Sequence, residues 1–126
     1  REAGQRSLAR GLGRALAEAC AAPGVTLHLS GRDAARLADA AAACRARGAT
    51  VTEAVLDVTD APAMAAWINR AGRLDLVIAN AGVSGGTGEA TEPPAQAARI
   101  FATNVTGVLN TALPAVEAMA SQPPGA

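Results

Sequence analysis

Leu74-Asp75-Leu76-Val77-Ile78-Ala79, followed by Asn80-Ala81-Gly82, is a short, largely apolar run closed by small turn-forming residues. Such a run reads as a buried strand, because a strand covered on both faces needs no polar alternation. Toward the N-terminus, the helix that feeds it opens at Asp60, whose carboxylate can cap it, and Pro62 is tolerated in its first turn. Met64, Trp67, Ile68 and Ala71 give that helix one apolar face. Before it, Thr50 to Leu56 reads as a strand with Asp57-Val58-Thr59-Asp60 as its exit loop. Further back, Asp33 to Arg47 reads as a helix with Leu37, Ala41 and Cys44 on one stripe and Gly48 as its stop.

The pattern continues to both ends. Val25 to Leu29 is another short apolar strand, stopping at Ser30-Gly31-Arg32, and from Gly11 a helix carries Leu12, Ala15, Leu16, Ala19 and Ala22 until Pro23-Gly24 ends it. On the C-terminal side, Asn80 to Pro94 is rich in Gly, Thr and Pro. A long helical pattern then runs from about Ala95 to Met119, where Pro114 removes a backbone donor and is expected to kink or interrupt it. Ser121 to Ala126 is a breaker tail. Alternating strands and helices predict an α/β fold with a parallel sheet of three strands and four helices, in one domain over residues 1–126 with no internal repeat or linker. Residues 1–9 are atypical. Up to Arg10 the only apolar residues are Leu8 and two Ala, too few for the buried strand that should precede Gly11.

Composition narrows the function. A chain of 126 residues is long enough for one sizeable core, and its eleven basic and eleven acidic residues cancel without any like-charge run. A nucleic-acid or membrane footprint is therefore not expected, and a small ligand or another protein is the better partner. Cys20 and Cys44 are far apart, with His28 the only nitrogen ligand, so neither a zinc site nor a disulfide framework is indicated, and both read as buried thiols. No signal-peptide pattern opens the chain and no apolar run reaches the roughly 18 residues of a membrane span, so a cytoplasmic protein is expected. All the basic residues are Arg, and Tyr is absent as well as Lys. A mechanism that uses a phenol or an amine must draw it from elsewhere.

Two positions suit nucleotide chemistry. Gly11-x-Gly13 opens a helix, where unpaired N–H groups and the positive end of the dipole can hold a phosphate and only glycine lets the backbone come close. About twenty residues on, an acidic group at the end of the second strand of a dinucleotide fold would read a ribose 2′-hydroxyl. Here Gly31 and Arg32 stand at that exit, and a guanidinium pairs with a 2′-phosphate instead.

Those segments, with Asn80-Ala81-Gly82 and the Asn104 of Thr103-Asn104-Val105, resemble the short-chain dehydrogenase/reductase family. Gly11 and Gly13 match the last two glycines of its Thr-Gly-x-x-x-Gly-x-Gly pattern, Leu12 and Arg14 to Ala17 look like its first helix, and the likeness runs from about Arg10 onward. The resemblance implies an NAD(P)-dependent oxidoreductase that transfers hydride between the cofactor and a small alcohol or carbonyl substrate. Asp57 and Val58 would flank the adenine, the acid accepting from the exocyclic amine. Asn80, Ala81 and Gly82 would lie near the adenine ribose, and Asn104 would be the catalytic Asn that holds a water in the proton relay. Arg10, where NADP-preferring members often carry a base, joins Arg32 in predicting NADP over NAD. In complete members the helix bearing Asn104 packs in a dimer, which implies a homo-oligomer.

The resemblance also marks departures. Ser7 and Arg6 stand where the family's first Gly and its Thr would fall, and no buried strand precedes them. The implied fold is therefore an incomplete Rossmann-like, doubly wound parallel sheet lacking its first, central strand, which in the order 3-2-1-4 lies between Val25–Leu29 and Leu74–Ala79. Each ladder group left buried and unpaired costs about 1–3 kcal/mol, against a typical stability of about 5–15 kcal/mol. The family's catalytic Ser and Tyr-x-x-x-Lys would follow the last residue. A fragment truncated at both ends or by a frameshift is expected, inactive alone. The alternative is a non-catalytic remnant, or a subunit that completes its sheet with another chain.

Overall fold

A computed structural model describes residues 12–81 and 94–124. The chain forms two compact units that divide between Leu56 and Asp57. The fold class is α/β, as the alternation of segments predicts.

In the first unit, helix α1 (residues 12–20) leads into strand β1 (Thr26–Gly31), helix α2 (Ala34–Ala46) and strand β2 (Thr50–Val55). β1 and β2 pair in parallel, Thr26 opposite Thr50 through Gly31 opposite Val55, with α2 as the crossover. Asp33 starts α2 as its N-cap, Oδ1 accepting from the amides of Ala35 and Arg36 at 3.1 Å each. Gly48 ends the αβ connection at φ +93°, and a Cβ there would stand 2.9 Å from Pro23 Cγ, so glycine is required twice over. The predicted stripe of Leu37, Ala41 and Cys44 is buried, and Ala41 and Cys44 pack with Ala49, Val51 and the partly covered Ala17, Ala21, Leu27 and Leu29. Across the strands His28 Nδ1 lies 2.7 Å from Thr52 Oγ1.

Two expectations for this unit need correction. β1 is nowhere fully buried, since the two-stranded sheet of the described residues ends with it on one side. Cys20 closes α1 and is only partly covered, so Cys44 alone is a buried thiol. Burial pushes the Cys44 thiol pKa up, with the negative charge of Glu18 adding to the shift.

In the second unit, helix α3 (Ala61–Arg70) is capped by Asp60, whose Oδ1 accepts from the Ala63 amide at 3.1 Å, with Pro62 in the first turn. Helix α4 (Pro94–Phe101), a π-helical segment (Ala102–Thr106) and helix α5 (Gly107–Ser121) follow. α3 packs on α5, and the core joins Ile68, Leu74 and Ala115 with Trp67, Ala71, Val77, Ala118 and Met119. The expected single helix is thus broken at Ala102–Thr106, while α5 runs on through Pro114. The proline's missing donor affects one bond within a helix whose buried side, at Thr111 and Ala115, is already packed.

The third expected strand does not form. Residues 74–79 join no sheet among the described residues, and Leu76 and Ile78 stand 67% and 47% exposed. An apolar run becomes a strand only where another strand accepts its ladder. At its start the segment has a substitute: the Gln122 side-chain amide donates to the Leu74 carbonyl at 2.6 Å and accepts from the Leu74 amide at 3.0 Å, as a neighbouring strand would. Arg73 adds a bond to the Pro123 carbonyl at 2.6 Å.

Candidate functional site

The second unit begins with the exit loop after β2, which is tied by its own hydrogen bonds. Asp57 Oδ1 accepts from the amide of Thr59 at 2.9 Å and from its hydroxyl at 2.7 Å, and the Asp60 amide donates to the Asp57 carbonyl at 3.0 Å. A short acidic side chain that folds back on its own backbone in this way fixes a turn without help from a helix or sheet. The turn is then held from α5. Asn110 Nδ2 donates to the Val58 carbonyl at 2.9 Å, and Gly107 lies so close beneath Val58 that a Cβ on it would meet Val58 Cγ2 at 2.6 Å.

Gly107 also closes the π turn, its amide donating to the Ala102 carbonyl, and the buried Thr111 hydroxyl donates to the Gly107 carbonyl at 3.1 Å. Asn104 sits in the middle of that turn with Thr103 buried beside it, while Asn104 itself is exposed. Single π turns inside helices widen the ring by one residue and recur at functional sites. Asp57, Val58 and the segment carrying Asn104 are thus parts of one packed assembly.

The other expected site residues are distributed as follows. Leu12 is exposed and Gly13 half-buried in the first turn of α1. Arg32 is exposed one residue beyond the end of β1, beside the Asp33 cap. Asn80 and Ala81 are exposed at the end of the unpaired run. Arg10, Gly11 and Gly82 lie outside the described residues. Among the described residues no three of His, Cys, Asp and Glu gather as metal ligands, and no helix is long and apolar enough to cross a membrane. Gly107 and Asn110 were not singled out in the sequence. The signal available was a glycine inside a helical pattern, which costs about 1 kcal/mol relative to Ala and marks a close approach when it is retained.

A family model described as short chain dehydrogenase matches residues 7–126. The chain belongs to the short-chain dehydrogenase family. Relatives similar in sequence are named as oxidoreductases. A protein of Myxococcus xanthus (strain DK1622) named "Uncharacterized oxidoreductase" is 42% identical over 105 residues, covering 80% of this chain and 42% of that protein. "Probable oxidoreductase EphD" of Mycobacterium bovis (strain ATCC BAA-935 / AF2122/97) is 40% identical over 105 residues, covering 79% of this chain and 18% of that protein. The protein of the same name in Mycobacterium tuberculosis (strain ATCC 25618 / H37Rv) aligns with the same figures, 40% over 105 residues, 79% and 18%. The chain therefore spans less than half the length of these relatives.

Proposed function

We propose that this chain is the nucleotide-binding part of an NADP-dependent short-chain oxidoreductase with a Rossmann-like sheet, acting on a small alcohol or carbonyl. The observation that carries the cofactor choice is Arg32, an exposed cation one residue past the end of β1 where an NAD-specific protein would carry an acid. Arg10 would add a second cation, and Gly11 together with Leu12 and Gly13 of the first turn of α1 would take the diphosphate. The residues present fit the group on one further count: the turn of Asp57 and Val58 is tied by hydrogen bonds of its own and by Asn110, which lowers the ordering that binding of an adenine there would require. Asn80, Ala81 and Gly82 would line the ribose, and Asn104 would hold a water of the proton relay.

When bound, the cofactor would exchange hydride with the substrate, NADPH giving it to a carbonyl or NADP+ taking it from an alcohol. The proton-transferring phenol and its partnering amine are not among these residues, since the chain has neither Tyr nor Lys, so the whole reaction needs groups beyond this chain. Calorimetric titration of the 126-residue chain with NADPH and NADH tests the reading. An Arg pairing with a 2′-phosphate favours NADPH by about tenfold or more, and Arg32→Glu removes that preference. Comparable affinity for the two cofactors would defeat it.

Self-association is supported by Phe101, Val105, Leu109, Leu113 and Val116, exposed apolar residues that recur every three or four positions from α4 through α5. We assign this face to a second copy of the chain. The alternative of a non-catalytic subunit that borrows a strand rests on the exposed Leu76 and Ile78 of the unpaired run, and a chain that binds neither cofactor yet forms a stable complex would favour it.

A further inference from the structure

Resting on the nucleotide reading above, we infer that Gly107 and Asn110 are positioning residues that clasp the Asp57–Thr59 turn to the helix carrying Asn104, presetting the acid for the adenine. Val58 is gripped in two ways. Its carbonyl accepts from Asn110 Nδ2 at 2.9 Å in a half-buried setting, which turns that oxygen toward α5. Its side chain rests on the bare backbone of Gly107, where a Cβ would intrude to 2.6 Å from Cγ2 and 3.1 Å from Cβ. Because Asp57 Oδ1 is bonded to both donors of Thr59, a fixed Val58 fixes the carboxylate on its N-terminal side as well.

Gly107 is not free to yield. Its amide closes the π turn on the Ala102 carbonyl and its carbonyl takes the Thr111 hydroxyl at 3.1 Å, so the residue that seats Val58 also ends the turn containing Asn104. One clasp therefore holds two elements of the proposed site, and neither Gly107 nor Asn110 needs to touch a ligand.

The test uses the full 126-residue chain, unsubstituted and as Asn110→Ala, Gly107→Ala, Asp57→Ala and the Asp57→Ala/Asn110→Ala double variant. Amide hydrogen exchange is read at Thr59 and Asp60, with β1 and β2 as internal controls, and NADPH affinity is read by calorimetry. Loss of one half-buried hydrogen bond should speed exchange at Thr59 and Asp60 and weaken NADPH by about fivefold in Asn110→Ala, leaving β1 and β2 unchanged. Gly107→Ala should do the same or more. In the Asp57→Ala background, Asn110→Ala should cost no further affinity, since a positioning residue acts only through the group it positions. A residue of purely general structural value would instead lose affinity additively. Unchanged exchange at Thr59 and Asp60 in Asn110→Ala would overturn the clasp whatever the cofactor does. Absence of NADPH binding by the unsubstituted chain would overturn the nucleotide reading instead, the exchange arm still deciding the clasp.

Discussion

The two units answer the same kind of sequence differently. Val25 to Leu29 and Leu74 to Ala79 are both short apolar runs bounded by turn residues, yet the first becomes β1, paired along its length with β2, while the second joins no sheet among the described residues. The difference lies in what each run meets. α2 returns the chain beside β1 within its own unit, so the ladder closes over a βαβ crossover. The second run meets a helical partner, α5, and a side-chain amide that imitates one rung of a ladder. Apolar content sends a segment inward, and hydrogen-bonding partners decide whether it becomes a strand.

The largest effect separates the exposed part of the unpaired run from the core behind it. Ile68→Ala, at a site only 3% exposed, should destabilise the second unit by about 2–5 kcal/mol. Leu76→Ala, at 67% exposed, should stay within about 0.5 kcal/mol. Trp67, the one tryptophan, packs against that core and reports both melts by fluorescence. If Leu76→Ala costs as much as Ile68→Ala, the run is buried in solution and the contrast with β1 disappears.

A smaller effect probes the closed unit at its turn. Gly48→Ala forces a side chain into φ +93° and against Pro23, and should cost about 1–3 kcal/mol, seen as faster exchange of the β1 and β2 amides. Its counterpart is Gln122→Ala, which deletes both bonds to the Leu74 backbone. That loss should amount to about 1–2 kcal/mol, with Leu74 amide exchange accelerated and β2 untouched. Gln122→Glu is the sharper variant, because a carboxylate keeps the acceptor for the Leu74 amide but loses the donor for its carbonyl.

Much of this was legible in residues whose local chemistry is decisive. Asp33 and Asp60 cap as acids before apolar periodicity should, Gly48 stops α2, and the stripe of α2 is buried as its spacing selects, while on α3 Met64 and Ile68 are buried and Trp67 and Ala71 only partly covered. The features that escaped depend on partners distant in sequence. Nothing near Leu74 announces Gln122, 48 residues on. Nothing near Asn104 announces a π turn, whose closing residue Gly107 is bare because Val58 presses on it. Pro114 misled for the converse reason: local chemistry predicts a break, and the packed side of α5 carries the helix past it. Of the proposed site residues, Asp57, Val58 and the segment carrying Asn104 belong to one packed framework, whereas Gly107 and Asn110 could be found only once Val58 was placed.

The two cysteines give the finest comparison, within the first unit itself. Cys44 is buried in its core and Cys20 only half covered, so a neutral thiol reagent added to the folded chain should modify Cys20 first and reach Cys44 at the rate of unfolding. Burial raises the Cys44 pKa, and the nearby Glu18 charge acts in the same direction. The folded state therefore holds that proton more tightly than the unfolded chain does. Its contribution is complete below the ordinary thiol range near about 8.5 and is lost as pH rises through the higher folded value. A melting temperature followed upward from neutral pH should fall on the alkaline side, and Cys44→Ala should flatten that fall while lowering stability at neutral pH through the small cavity it leaves. An alkaline slope that survives Cys44→Ala would move its origin away from this thiol, and with it the view that the core formed by α2, β1 and β2 stays closed to water.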